Sequence, residues 1–436
     1  VGALAVAGVF ALLLALSRPP GIEKIIAWPL DFFDKGLVIH VVFSFVVWFL
    51  AVFGALVQLA TLRVSEGRPR FAFLGPAAVM CVTVGCPLLF IPAFIDRGEA
   101  TLNNYVPAII DPLYYAGLGL LGAGLTLATL RLIANLPGSG RKWMAPASFG
   151  AVGGGFTYLI ALVCFAIALK ALGGETPSYY FNEILFWAGG HVLQFVNVIV
   201  MLVAWHILGR VSFPGEAPLK PSVERVAVGM LFVCALAGIA FSLKYGLGDD
   251  KYFDSFTALQ YGLGPPVMLV VIAAAWWLAG RRGATPLPWG NPAFPCLVLS
   301  ALVFCIGGWL GFFVDGADTR TPAHYHGVIA GINLALMGLF LTFFLPLLGR
   351  AVAYTKVVYA QILLFAGGQT LASIGLFLAG GYGAPRKVAA DTQGVEELGA
   401  VAGMYMNGIG ALIAVVGGVL FIWTVAAALI GKPAPG

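Results

Sequence analysis

Twelve apolar stretches, nearly all of them long enough to cross a bilayer, take up most of this chain and leave little of it over for anything else. A spanning helix needs about 20 mostly apolar residues, because in hydrocarbon every backbone N–H and C=O must be bonded within the segment. The stretches run over residues 1–17, 36–62, 73–95, 106–133, 145–172, 183–209, 222–246, 256–280, 292–314, 322–349, 355–380 and 398–430. Short breaks with turn residues separate them, such as Arg18-Pro-Pro, Gly67-Arg-Pro, Pro137-Gly-Ser-Gly and Phe213-Pro-Gly. With 60% hydrophobic and only 10% charged residues, and a mean hydropathy of +0.96, the outer surface must be solvated by lipid. The expected fold is therefore all-α: a polytopic membrane protein, a bundle of about twelve transmembrane helices, forming a single membrane domain over residues 1–436. Residues 1–17 read as the first span, because no basic leader or small-residue cleavage site marks a signal peptide. No internal repeat is visible, and nothing in the composition suggests nucleic acid as a partner.

Basic residues set the expected orientation. The even-numbered loops with the C-terminal tail hold fourteen basic and three acidic residues, a net of +11, which leaves −6 for the odd loops. The even loops and both termini are thus expected in the cytoplasm, as in a bacterial inner membrane. The six cysteines, Cys81, Cys86, Cys164, Cys234, Cys296 and Cys305, lie in or beside apolar stretches and read as inert thiols rather than a disulfide or zinc framework.

Chemistry rests on five histidines. Imidazole inside a membrane is costly, and its usual work there is metal or haem ligation or proton relay. His40 lies early in the second span, His191 in the sixth within Phe186-Trp-Ala-Gly-Gly-His191, and His324 and His326 open the tenth. His206, alone near the cytoplasmic end of the sixth, reads as a hydrogen-bonded packing residue. Residues two apart on an α-helix point about 200° away from each other. One metal ion would find it hard to take both His324 and His326, whereas two cofactors flanking the helix could take one each. A bis-histidine haem then needs a second imidazole at the same depth, and His40 is placed for it.

In this order and on these helices, the motifs resemble subunit I of the heme–copper oxidase superfamily, which includes cytochrome c oxidases and nitric oxide reductases. Ala323-His324-Tyr-His326 resembles the family's His-x-His opening of helix ten, and Phe186–His191 resembles the segment that carries the first copper ligand. Gly383-Ala-Pro-Arg386-Lys387 resembles the Pro-Arg-Arg motif that binds haem propionates. The resemblance implies two non-covalent haems of b or a type. His40 and His326 would be axial ligands of a low-spin haem, His324 the proximal ligand of a second haem, and Arg386 and Lys387 the propionate cations.

The pattern breaks at the second metal. Where the family has an adjacent histidine pair, helix seven reads Ala235-Leu-Ala-Gly-Ile-Ala-Phe-Ser-Leu-Lys244. Copper held by nitrogen ligands wants about three imidazoles, and His191 supplies one. Phe195, one turn after His191, stands where many oxidases have a tyrosine, and the family's proton-path lysine and glutamate have no evident counterparts. Copper is therefore expected to be absent. His191 could hydrogen-bond a ligand on the distal side of the second haem, bind its iron, or pack against Gln194 and Asn197. Two functions follow. One is a dihaem electron-transfer cytochrome working with other respiratory subunits, a c-type cytochrome or other electron carrier on the outer face, and quinone. The other is a terminal oxidoreductase acting on oxygen or nitric oxide. A haem-free transporter or channel is a third class, against which the absence of a repeat and the one-sided histidines count.

Overall fold

The computed structural model describes residues 1–17, 31–216, 218–281, 286–314, 316–387 and 397–431. The expected break at Arg18-Pro-Pro and the basic residues Arg282 and Lys432 lie outside them. Helix follows helix: α1 (Gly2–Ser17), α2 (Phe33–Val64), α3 (Leu74–Phe94), α4 (Pro112–Ala134), α5 (Pro146–Ala171), α6 (Tyr179–Ser212), α7 (Pro221–Lys244), α8 (Asp250–Gly280), α9 (Ala293–Phe313), α10 (Arg320–Leu347), α11 (Lys356–Gly381) and α12 (Leu398–Ile430). All but α1 are long and apolar enough to cross a membrane; α1 carries the shorter apolar stretch Gly2–Leu14. The six cysteines are all free thiols.

Two starts differ from the hydropathy reading. The stretch at 106 enters α4 only at Pro112, where Asp111 caps the helix by accepting from the Leu113 N–H at 2.8 Å. Residues before it form a two-stranded hairpin, Ala100–Thr101 against Ala108–Ile109, tied by an Arg97–Asp111 ion pair at 3.0 Å. Val106-Pro107-Ala-Ile-Ile is apolar because the hairpin is packed, not because it spans. At α8 the helix begins at Asp250, tightens to a 3₁₀ turn over Gln260–Leu263, and resumes at Gly264-Pro265-Pro266. Two histidine-bearing helices also carry π turns: α2 over Val42–Val47, starting two residues after His40, and α10 over Phe340–Phe344.

Contacts divide the chain into two compact units, one of residues 1–40, 207–216 and 284–436, the other of residues 41–206 and 217–283. In the first, α11 and α12 make the most extensive helix pairing, followed by α9 with α10. The α11–α12 seam is built on glycines seven residues apart, close to two helical turns: Gly368 and Gly375 on one side, Gly403, Gly410 and Gly417 on the other. A Cβ at Gly403 would lie 2.6 Å from the Ala379 nitrogen, and one at Gly375 2.5 Å from the Asn407 nitrogen. Small residues that let backbones touch are how helices associate where lipid removes the usual hydrophobic drive. In the second unit α3 pairs with α4, and α5 with α7.

Gly403→Ala should therefore destabilise the protein by about 2 kcal/mol in a thermal unfolding assay in detergent, the usual cost of overpacking. Gly418→Ala, one position off the seam with nothing within 4 Å of its Cβ, should leave the transition where it is.

Candidate functional site

Within the first unit, α9 and α10 meet at glycines. A Cβ on Gly327 would come within 2.5 Å of the Gly307 Cα, and one on Gly331 within 2.5 Å of the Phe304 Cβ. This approach brings the Gly307 carbonyl to His324, whose Nδ1 lies 2.8 Å from it. A carbonyl oxygen only accepts, so Nδ1 carries the proton and the lone pair of the neutral ring is on Nε2. Gly311, one turn along α9, leaves the ring its space: a Cβ there would stand 2.7 Å from His324 Nδ1. His40 is fixed in the same way, with Nδ1 3.0 Å from the Ala7 carbonyl of α1. His326 lies two positions on from His324 in regular α-helix, so the two rings leave α10 on different sides, and His326 stacks against Tyr325 with centroids 5.3 Å apart.

The Pro385-Arg386-Lys387 segment is pinned to the start of α10. Asp318 pairs with Pro385 as a β-bridge, the Thr319 N–H donates to the Ala384 carbonyl at 2.9 Å, and the Thr319 hydroxyl donates to the Leu376 carbonyl at 2.8 Å. Arg320 holds Asp318 through Nε at 2.8 Å and Nη2 at 2.6 Å. Arg386 and Lys387 thus sit beside the end of α10 that carries both histidines, with Lys387 in the left-handed region at φ 61°. The donor sets fit haem: imidazoles held through Nδ1 would ligate through Nε2, and cations beside the start of α10 would suit carboxylates.

The second unit holds His191, which is buried at 2% exposure. Its Nδ1 donates to the Trp187 carbonyl one turn back at 2.6 Å, again leaving the lone pair on Nε2. Three rings enclose it: Tyr105 at 4.3 Å between centroids, Trp187 at 4.6 Å and Phe256 at 5.7 Å. Tyr105 comes from the 97–111 hairpin, in the left-handed region at φ 64°, and lies over Gly190, where a Cβ would be 2.9 Å from the Tyr105 Cβ. Gln194 donates to the Gly190 carbonyl at 2.9 Å, Asn197 donates to Gln194 at 3.3 Å, and both line a cavity of about 10 Å³, room for roughly one water. The backbone carbonyl of His191 accepts from Gln260 at 3.3 Å. His206, read from sequence as solitary, has a carboxylate partner: its Nδ1 is 2.6 Å from Glu224 Oε1.

Sequence reasoning found the histidines and missed what holds them. Gly307, Ala7 and Trp187 act through carbonyls, which no side-chain pattern reports. Tyr105 had one faint signal, the Gly189-Gly190 doublet ahead of His191, which marks a close approach by something bulky.

A model of the family described as cytochrome c and quinol oxidase polypeptide I matches residues 1–419. The chain belongs to that family. Among its relatives, an uncharacterised protein of Rickettsia prowazekii is 24% identical over 96% of this chain and 92% of that one. Another uncharacterised protein, from Aquifex aeolicus, is 28% identical over 77% of this chain and 80% of its own. Cytochrome c oxidase subunit 1 of Thermus thermophilus is 23% identical over 91% of this chain and 76% of that one. A cryo-EM structure of a heme-copper terminal oxidase dimer shares the fold at a TM-score of 0.83 and 16% identity, over 99% of this chain and 82% of that one. This heme–copper oxidase subunit I-like protein is an integral membrane protein, and its family implies haem cofactors and work alongside other respiratory subunits.

Tyr105→Ala should uncover His191 and raise its rate of modification by diethyl pyrocarbonate, read by mass spectrometry of the α6 peptide. Tyr105→Phe, which keeps the ring, should leave that rate unchanged.

Proposed function

We propose that this subunit I-like protein is a dihaem membrane cytochrome that passes electrons within a respiratory complex and has lost the copper site. The observation that carries the haem assignment is the shared locking of His40 and His324, each with Nδ1 on a backbone carbonyl and Nε2 left to ligate. His40 and His326 hold a low-spin haem, His324 holds the second, and Arg386 and Lys387 neutralise propionates. Haem iron supplies one-electron chemistry when bound. The protein's own residues fix ring orientation, exclude water and hold charge. The basic even loops favour both termini in the cytoplasm of a bacterial inner membrane, with the electron partner on the outer face, a c-type cytochrome or other carrier, and quinone as a further redox partner.

Residue chemistry supports the loss of copper. The five histidines are His40, His191, His206, His324 and His326, and α7 contributes none beside His191. Phe256 and Trp187 press on that imidazole instead of further nitrogen ligands. The Trp187 bond supports one role for His191 over another. With its proton on Nδ1, the neutral ring accepts or ligates through Nε2 and has no N–H there to offer a bound gas.

A second reading, a terminal oxidoreductase reducing oxygen or nitric oxide at the second haem, is favoured by the likeness to cytochrome c oxidase subunit 1 over 91% of the chain. Carbon monoxide separates the two: a shift in the reduced spectrum supports the oxidoreductase, and none supports the electron-transfer cytochrome.

The purified protein should give two haems per chain in the pyridine haemochrome assay and no stoichiometric copper by elemental analysis. His326→Ala and His40→Ala should each reduce the count from two towards one. A protein without haem, or with one copper per chain, overturns the proposal.

A further inference from the structure

The connection between α2 and α3, and the end of α4 that it crosses, carry more positive charge than the fold balances. Residues 63–75 and 131–145 hold six basic side chains, Arg63, Arg68, Arg70, Arg131, Arg141 and Lys142, against one acid, for a net of +5. That acid is Glu66, which pairs with Lys142. Arg131, in the last turn of α4, is only 7% exposed. Its Nη1 donates to Gln58 Oε1 of α2 at 2.6 Å, and its Nε is buried with no hydrogen-bond partner among the described residues. Buried arginines are ordinarily paired with a carboxylate. Here the partner is a neutral amide, so among the described residues the charge is uncompensated.

The loop is latched onto that helix end. The Arg70 N–H donates to Asn135 Oδ1 at 2.8 Å, and Asn135 Nδ2 donates to the carbonyls of Arg70 at 3.3 Å and Arg131 at 2.7 Å. Gly75, at the start of α3, lies against the guanidinium, and a Cβ there would overlap it. Arg68 and Arg70 are exposed on the loop. Phe71 and Phe73 follow them, each more than half exposed, with Phe71 in the left-handed region at φ 53°. Exposed aromatic rings beside cations are what the boundary between headgroups and acyl chains favours.

We propose that this end of α2, α3 and α4 is a binding site for the phosphate of an anionic phospholipid. Arg68 and Arg70 take the phosphate oxygens, which a guanidinium does through two parallel N–H groups. Arg131 supplies the uncompensated charge behind them, and Phe71 and Phe73 lie among the acyl chains. The excess of cations selects a headgroup with a net negative charge, and the exposed phenylalanines select a lipid over a soluble anion. The site is independent of haem and of the electron-transfer reading.

The test uses the full-length protein, purified in detergent, stripped of lipid and titrated with short-chain phosphatidylglycerol, with retained lipid read by native mass spectrometry. Phosphatidylglycerol should be retained more tightly than phosphatidylcholine of the same chain length. Arg68→Gln and Arg70→Gln should each weaken retention about fivefold, the worth of one cation near an anionic headgroup. Arg131→Gln should also weaken it. Arg131→Lys, which keeps the charge without the planar fork, should fall between that variant and the native protein, and serves if the glutamine variant does not fold. Lys220→Gln removes a like charge from the connection between α6 and α7 and should leave retention unchanged. Equal retention of the two lipids, or an equal loss in Lys220→Gln, overturns the site by reducing it to a generally basic surface. Displacement of the lipid by equimolar inorganic phosphate overturns it in favour of a soluble anion.

Discussion

An imidazole in hydrocarbon has two nitrogens to satisfy, and how the first is satisfied decides what the second can do. His40, His191 and His324 all place Nδ1 on a main-chain carbonyl, from Ala7, Trp187 and Gly307. Each bond removes the cost of an orphan donor, selects one tautomer and aims the ring. The helix contacts around each ring serve that bond. Glycines at 307, 311 and 327 let α9 come near enough to α10 to offer a carbonyl, and Gly190 admits the aromatic cover over His191. Glycine packing and imidazole orientation are in this sense one feature of the fold, since a side chain on the seam would move a carbonyl.

His206 is the exception that shows what the rule withholds. Its Nδ1 meets a carboxylate instead of a carbonyl. Imidazoles of one type thus meet either a backbone dipole or a full charge through their first hydrogen-bond partner.

The spans were legible because lipid imposes a length and composition that few other contexts demand, and α12 begins and ends at the residues where hydropathy places it. His-x-His at 324 and 326 was legible because an i, i+2 pair can be read as geometry once the helix is known. The hairpin before α4 was not, since an apolar loop packed over a helix end has the hydropathy of a membrane segment. Glu224 was hidden for the opposite reason. It looks like an ordinary loop charge, and only the fold brings its carboxylate to a histidine on the preceding helix. Carbonyl partners such as Gly307 leave no trace in side-chain identity at all.

The π turn that follows His40 amounts to one residue more than an α-helix of the same rise would hold. Each extra residue advances the phase of a helix by about 100°, so whatever lies before Val42 is rotated as a block against whatever lies after Val47. The turn absorbs that mismatch locally. The part of α2 that carries His40 can keep that ring on the Ala7 carbonyl while the long remainder, through Trp48, Phe49 and Phe53, keeps its own packing face. A residue gained or lost here alters the local winding, whereas one gained or lost in regular helix between His40 and Phe53 would turn His40 by about 100° relative to that packing face.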